Sequence, residues 1–245
     1  MRLSKSWIIA KKDLKSFIRK KTILYTVVAL PLLISVLFPV VLEISSRKSG
    51  GVSAAALPTL LPAFAFFYVI IPAIIPTPIA SYSIVGEKIE KSLEPLLATP
   101  TTDGEILLGK SLAAFLPAIV ATYVGAAIFM TLIDSVTYGK LHYLYYPNWE
   151  FGLILLVLSP LAATLSVELS IVVSSRVNDV RAASQLGSLA FLPFMGIYLA
   201  SEIGLISLDT NTLLIIAGIL AAAALVLFRV STATFRREEI LTKWK

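Results

Sequence analysis

The sequence predicts an all-α membrane protein, with an amphipathic N-terminal helix, six transmembrane helices and a short cytoplasmic helix between spans two and three. Three observations predict it. The chain is 57% hydrophobic and only 15% charged, with a mean hydropathy of +0.87, outside the balance of a soluble domain. Several runs reach the roughly twenty apolar residues that a bilayer-crossing helix needs. The lysines and arginines cluster at the edges of those runs, on one side far more than the other. The net charge of +6 therefore follows the membrane rather than marking a nucleic-acid surface. No cysteine is present, so neither a disulfide framework nor thiol chemistry is available. The whole chain, 1–245, reads as one transmembrane domain.

Residues 4–21, SKSWIIAKKDLKSFIRKK, form the first element. On a helical wheel Trp7, Ala10, Leu14, Phe17 and Ile18 share a face, opposite Lys12, Ser16, Arg19 and Lys20. Such a helix lies in the membrane interface. A cleaved signal peptide would have a shorter charged region and a small-residue cleavage site.

The spans are placed at 22–43, 57–85, 107–133, 150–173, 182–200 and 211–229. The second carries Pro58, Pro62, Pro72, Pro76 and Pro78. Each proline inside a helix frees a carbonyl four residues back, so this span is expected inside a bundle, where neighbours can satisfy those groups. Pro193 and Gly196 interrupt the fifth. The tyrosine-rich loop 134–149 is expected to form an aromatic belt at the outer interface. The break SEIGLISLDTNT after the fifth span is too short for a domain, and whether 201–210 re-enters the membrane stays open.

Orientation comes from charge. Of the 21 lysines and arginines, all but Arg47, Lys48 and Lys140 fall on the side of the termini and the loop 86–104. That side is expected to be the cytoplasm of a multi-pass cell-membrane protein.

Motifs for catalysis are lacking. Gly104–Ser111 satisfies G-x-x-x-x-G-K-[ST], but a phosphate loop needs a preceding strand and curled amides. Here Ile106, Leu107 and Leu108 already open an apolar helix, and Lys110 is expected to snorkel to the headgroups. His142 stands alone, so neither a zinc site nor a Ser-His-acid set can be assembled. No cofactor or metal is expected in this chain. Glu168 lies inside the fourth span, where a charge costs a few kcal/mol and usually faces a bundle interior. Two readings stand: a substrate or proton site, or a structural hydrogen bond to Ser166, Ser170 or a neighbouring helix.

The polar stretch 86–110, GEKIEKSLEPLLATPTTDGEILLGK, is expected in water or against another protein. Leu93, Leu96 and Leu97 fall at i, i+3 and i+4 beside Glu90 and Glu94, closing at Thr99-Pro100. This is a helix of docking size or an ordinary solvated loop, with Asp103 placed to cap the third span.

The run resembles the signature between spans two and three of type-2 ATP-binding-cassette exporter permeases, which read close to GEKE-x-GTLE-x-LL-x-TP, then an acid and GK. This chain has Gly86, Glu87, Lys88, Leu93, Glu94, Leu96, Leu97, Thr99, Pro100, Glu105, Gly109 and Lys110, and departs at Ile89, Lys91 and Ser92. SSRVNDVRAASQLGSLAFLP is similar to the turn between spans four and five in such permeases. The small-residue and proline pattern after the fifth span is poorly kept.

The resemblance implies a permease subunit paired with a second copy or a paralogue, each half docked on a separate cytoplasmic ATPase that binds ATP and Mg. It also implies coupling residues Glu87, Glu90, Leu93, Glu94, Leu96, Leu97 and Thr99, and a substrate path lined mainly by the second and fifth spans. Pro72, Pro76, Pro78, Glu168 and Pro193 are then the candidates for pathway and gating. A non-transporting membrane scaffold or immunity protein, or an ion-driven secondary transporter, are the alternatives.

Overall fold

The computed structural model describes residues 3–48, 56–90 and 101–234. Among them there is no strand, and six helices are long and apolar enough to cross a membrane. An elbow helix, Leu3–Arg19, precedes the first span, Lys21–Lys48. The second span runs Leu57–Ile89, the third Asp103–Leu141, the fourth Trp149–Arg176, the fifth Val180–Glu202 and the sixth Thr210–Thr234. Each helix outruns the apolar stretch that identifies it. The third, at 39 residues, is about 58 Å long, nearly twice a hydrocarbon core.

The second span is the centre of the bundle: 61% of its apolar window is buried, against 17% for the fifth. Its prolines explain why it must be. Pro72 cannot donate to the carbonyl of Tyr68, and Ser159 of the fourth span donates to that carbonyl instead. Pro78 frees the carbonyl of Ile74, which accepts from Thr77 Oγ1 at 2.8 Å. Ser166 Oγ reaches the carbonyl of Ala73 at 2.6 Å. A lipid-facing helix would have no Ser159 for the Tyr68 carbonyl, and such a group left unpaired costs several kcal/mol.

Two π turns interrupt the helices, Tyr82–Gly86 in the second span and Ile154–Leu158 in the fourth. A π turn rotates the next residues about the helix axis relative to a straight α-helix, and the first lies directly before Glu87. The fifth span breaks at a 3₁₀ turn, Leu189–Phe191, immediately before Pro193. Residues 203–209 form a turn in which Gly204 has φ +76° and Asp209 Oδ1 accepts from Thr212 N at 2.9 Å. His142, with φ 59°, ends the third span in the left-handed conformation.

The elbow helix differs from its wheel. Trp7 and Ile18 are 51% and 62% exposed, whereas Ser6, Ile9, Ala10, Asp13 and Phe17 are buried. The buried stripe packs on the start of the third span at Gly109, where a Cβ would stand 2.7 Å from Ser6 O and 2.8 Å from Ile9 Cβ. Only hydrogen fits at that crossing.

The tyrosine loop is also only partly a belt. Tyr138, Tyr143 and Trp149 are exposed, but Tyr146 is buried. Its ring packs with Phe129 and Phe151, and its hydroxyl donates to Leu61 O at 2.9 Å.

Candidate functional site

The third span starts with Thr102, not Asp103, as its cap. Thr102 Oγ1 accepts from Glu105 N at 3.3 Å, and Thr102 N donates to Glu105 Oε2 at 3.0 Å, a reciprocal capping box. The helix then continues unbroken through Gly104–Ser111. These residues do not have the conformation of a phosphate loop, in which amides curl round the anion.

Lys110 does not snorkel; it is 1% exposed. Its ammonium donates to Glu87 Oε2 at 2.6 Å and to Ser83 O at 2.6 Å, and approaches Ser83 Oγ at 3.1 Å and Asp13 Oδ2 at 3.5 Å. Ser83 Oγ donates to Asp13 Oδ2 at 2.8 Å. Lys12, from the elbow helix, closes the set by donating to Glu87 Oε1 at 2.6 Å. Two cations thus face two anions, supplied by the elbow helix, the second span and the third span. An unpaired charge at such depth would cost several kcal/mol, which is why four sit together. Burial works against the charge on Lys12, but the hydrogen bond and charge of Glu87 outweigh it and hold its pKa above the ordinary lysine value.

Glu87 is therefore enclosed within the chain rather than in a water-filled loop. Lys88 is buried as well. Its ammonium donates to Ser174 O at 3.1 Å and Ser175 O at 3.0 Å, two carbonyls left over where the fourth span ends at Arg176. A cation there answers both the orphaned acceptors and the helix dipole. Glu90, one turn on, keeps 56% of its side chain exposed, accepts from the Tyr82 hydroxyl and lies 3.7 Å from Lys20. Lys20 itself sits over the Tyr82 ring, 3.5 Å from its centroid. Leu93, Glu94, Leu96, Leu97 and Thr99 lie outside the described residues.

A model of the family described as "ABC-2 family transporter protein" matches residues 7–213. The chain belongs to the ABC-2 family of transporter proteins. It is also similar to a probable ABC transporter permease protein, NosY, of Stutzerimonas stutzeri, with 27% identity over 188 residues. That match covers 75% of this chain, and the chain spans 64% of the relative's length.

The remaining candidates of this ABC-2 protein lie deeper in the bundle. Pro72, Pro76 and Pro78 flank Ile75, which keeps helical dihedrals and donates to Ile71 O. Pro193 opens the second half of the fifth span. Glu168 is 2% exposed. Its Oε1 accepts from Ser111 Oγ of the third span at 3.1 Å, while Ser166 and Ser170 bond elsewhere. Among the described residues no group of three His, Cys, Asp or Glu side chains is arranged to hold a metal.

Asp13 is the residue sequence reasoning missed. Its signal was an acid among the cations of the elbow helix, three residues beyond Ala10 on the stripe that packs against the third span.

Proposed function

We propose that the chain is the membrane-spanning permease subunit of an ABC exporter, coupled to a separate ATPase subunit that binds and hydrolyses ATP with Mg. Two six-span chains, copies or paralogues, pair in the cell membrane with all termini in the cytoplasm, and each docks on one ATPase through residues 90–97. Closure of the ATPase pair pushes on that segment, and the substrate leaves between the chains along the second and fifth spans. Pro72, Pro76, Pro78 and Pro193 are the points at which those spans flex, since gating needs helices with discrete alternative shapes.

The observation that carries this reading is the fastening of the polar signature. Glu87 ties the end of the second span to the elbow helix and third span, and Lys88 ties it to the fourth. A push at 90–97 would then reach three spans and the elbow together. Glu87 contributes by holding the lever, while Glu90 and Leu93 to Thr99 meet the partner. The ABC-2 family match and the likeness to a probable ABC permease support transport as the task.

The test is Leu96→Asp. A leucine contact contributes about 1.5–3 kcal/mol, and a desolvated unpaired charge costs several more. Association with the ATPase should fall at least about a hundredfold, with the permease still folded because its spans are untouched. The measurement is pull-down and substrate-stimulated ATPase activity in membranes holding equal amounts of each variant. Full association and full stimulation by Leu96→Asp would make 90–97 a solvated loop and leave the scaffold reading in place.

A further inference from the structure

Between the third, fourth and sixth spans lies a cavity of about 270 Å³. Its walls are apolar: Leu108, Leu112, Phe115, Val167 and Phe228. Most of these are partly exposed, so the cavity opens to the side of the bundle rather than closing as a void. Three polar side chains also line it: Ser111, Thr164 and Glu168.

The hydrogen bonds of those three settle what the cavity offers. The Ser111 hydroxyl is spent on Glu168 Oε1 at 3.1 Å. The Thr164 hydroxyl is spent on Pro160 O at 2.8 Å. Among the described residues Glu168 Oε2, which is buried, has no hydrogen-bond partner, and no cation lies within ion-pair distance of that carboxyl. That leaves one carboxyl oxygen and two hydroxyl oxygens to accept. Ionised, the carboxyl would make the cavity a set of acceptors around one negative charge with no donor, and a bound cation is what would offset the cost of that buried charge.

A ligand complementary to that set carries a compact positive charge with about three N–H donors. A primary ammonium has three. A guanidinium has five in a flat fork, leaving donors unpaired, and a trimethylammonium has none. An anion would meet the carboxyl, and an alcohol would leave its charge uncompensated. The apolar walls ask for a hydrocarbon chain behind the charge. The volume falls just under the roughly 300–1,000 Å³ of sites for drug-sized ligands, room for a head group and the start of one chain. Glu168 and Ser111 each stand two turns inside the charged end of their spans, about 12 Å along the helix. An amphiphile in that leaflet can reach them head first.

We propose that this cavity binds the ammonium head of a single-chain primary alkylamine, with Glu168 as counter-ion and Ser111 and Thr164 as acceptors. The proposal deepens the transport reading by naming a substrate class, and rests on that reading only for the passage of the bound amine, not for its binding.

Binding of radiolabelled dodecylamine at pH 7 to the full chain in phosphatidylcholine nanodiscs tests it, with empty nanodiscs subtracted. Wild type should bind saturably, at least about tenfold tighter than it binds dodecyltrimethylammonium or dodecanol. Glu168→Gln, which keeps the shape and can still accept from Ser111, should weaken dodecylamine at least about tenfold, the scale of one hydrogen bond to a charged group. Thr164→Val should weaken it about threefold and, lying on a partly exposed wall, covers the case in which Glu168→Gln fails to fold. Absence of saturable binding, equal affinity for the trimethyl analogue, or affinities within twofold of wild type in every folded variant would overturn the proposal. Competition by phosphatidylethanolamine as strong as by the free amine would overturn the single-chain assignment. No ATPase is present in this assay, so Leu96→Asp should bind dodecylamine normally. Failure of the docking test and failure of this one are therefore separate results.

Discussion

Replacing Lys110 by methionine keeps most of its volume and deletes one of the two cations in the buried cluster. Glu87 and Asp13, 7% and 4% exposed, are then left with Lys12 alone. Lys12 keeps 54% of its side chain in contact with the surroundings, so its pairing is partly screened and cannot replace the lost charge. Removing one partner from a buried pair costs about 3–5 kcal/mol, and the loss of the Lys110 bonds to Ser83 falls within that figure. Adding Asp13→Asn restores one cation to one anion, so the double variant should recover more than half of the loss. The assay is unfolding of the purified chain in mixed micelles, with the four corners of the cycle measured under one condition. A cost below about 1 kcal/mol for Lys110→Met would mean a solvated lysine, as the headgroup reading expected. Strict additivity of the two substitutions would refute the cluster even if each single change were destabilising.

The fold also fixes three further outcomes. Gly109→Ala should destabilise by up to about 2 kcal/mol in the same assay, because overpacking against Ser6 O and Ile9 Cβ costs about 1–3 kcal/mol and alanine regains roughly 1 kcal/mol in a helix; a net gain would show that the elbow is not seated there. Ser159→Ala should cost about 1–3 kcal/mol by orphaning the Tyr68 carbonyl, and much less in a Pro72→Ala background, where the backbone N–H returns; equal cost in both backgrounds would exclude that explanation. With no native cysteine, Lys140→Cys should react with an impermeant maleimide on intact cells and Glu90→Cys only after lysis; outside labelling at position 90 would reverse the proposed orientation.

The six helices were legible because apolar runs of bilayer length have few other solutions in the sequence code. The second span's burial was legible too, since its prolines create carbonyls that lipid cannot satisfy; Ser159 answers that of Tyr68 and Thr77 that of Ile74. The capping box was spelled out as Thr102-Asp103-Gly104-Glu105 but competes with Asp103, an equally good cap by type; only the reciprocal bond from Glu105 decides. Lys110 was misread for a physical reason. A lysine near the start of a helix looks the same in sequence whether it reaches for headgroups or for a carboxylate, and the two carboxylates beside it, Glu87 and Asp13, lie 23 and 97 residues away. The elbow's face was misassigned because a wheel has one hydrophobic axis. A helix with both protein and lipid for neighbours has two, and Ser6 and Asp13 go to the protein while Trp7 and Ile18 do not.

The two ends of the bundle are built on opposite principles, and the proposed mechanism needs both. At the charged end, the contacts that fasten the second span to its neighbours are ionic or charge-assisted: Glu87 to Lys12 and Lys110, and Lys88 to the carbonyls ending the fourth span. Such bonds are directional and expensive to break where buried, so the elbow helix and the ends of three spans resist relative sliding. Around Ile75 the second span carries Pro72, Pro76 and Pro78, and the carbonyls of Tyr68, Ala73 and Ile74 are held by single hydroxyls that can exchange partners at about 1 kcal/mol each. In the proposed mechanism a displacement applied beside Glu90 would travel as a rigid motion to the middle of the membrane and there be absorbed as bending. The cavity beside Glu168 lies on the stiff side of that boundary, between spans three and four, both of which the charge cluster or Lys88 holds. A cation bound there would add to the ties between those spans, which places the proposed ligand where its presence could be felt at residues 90–97.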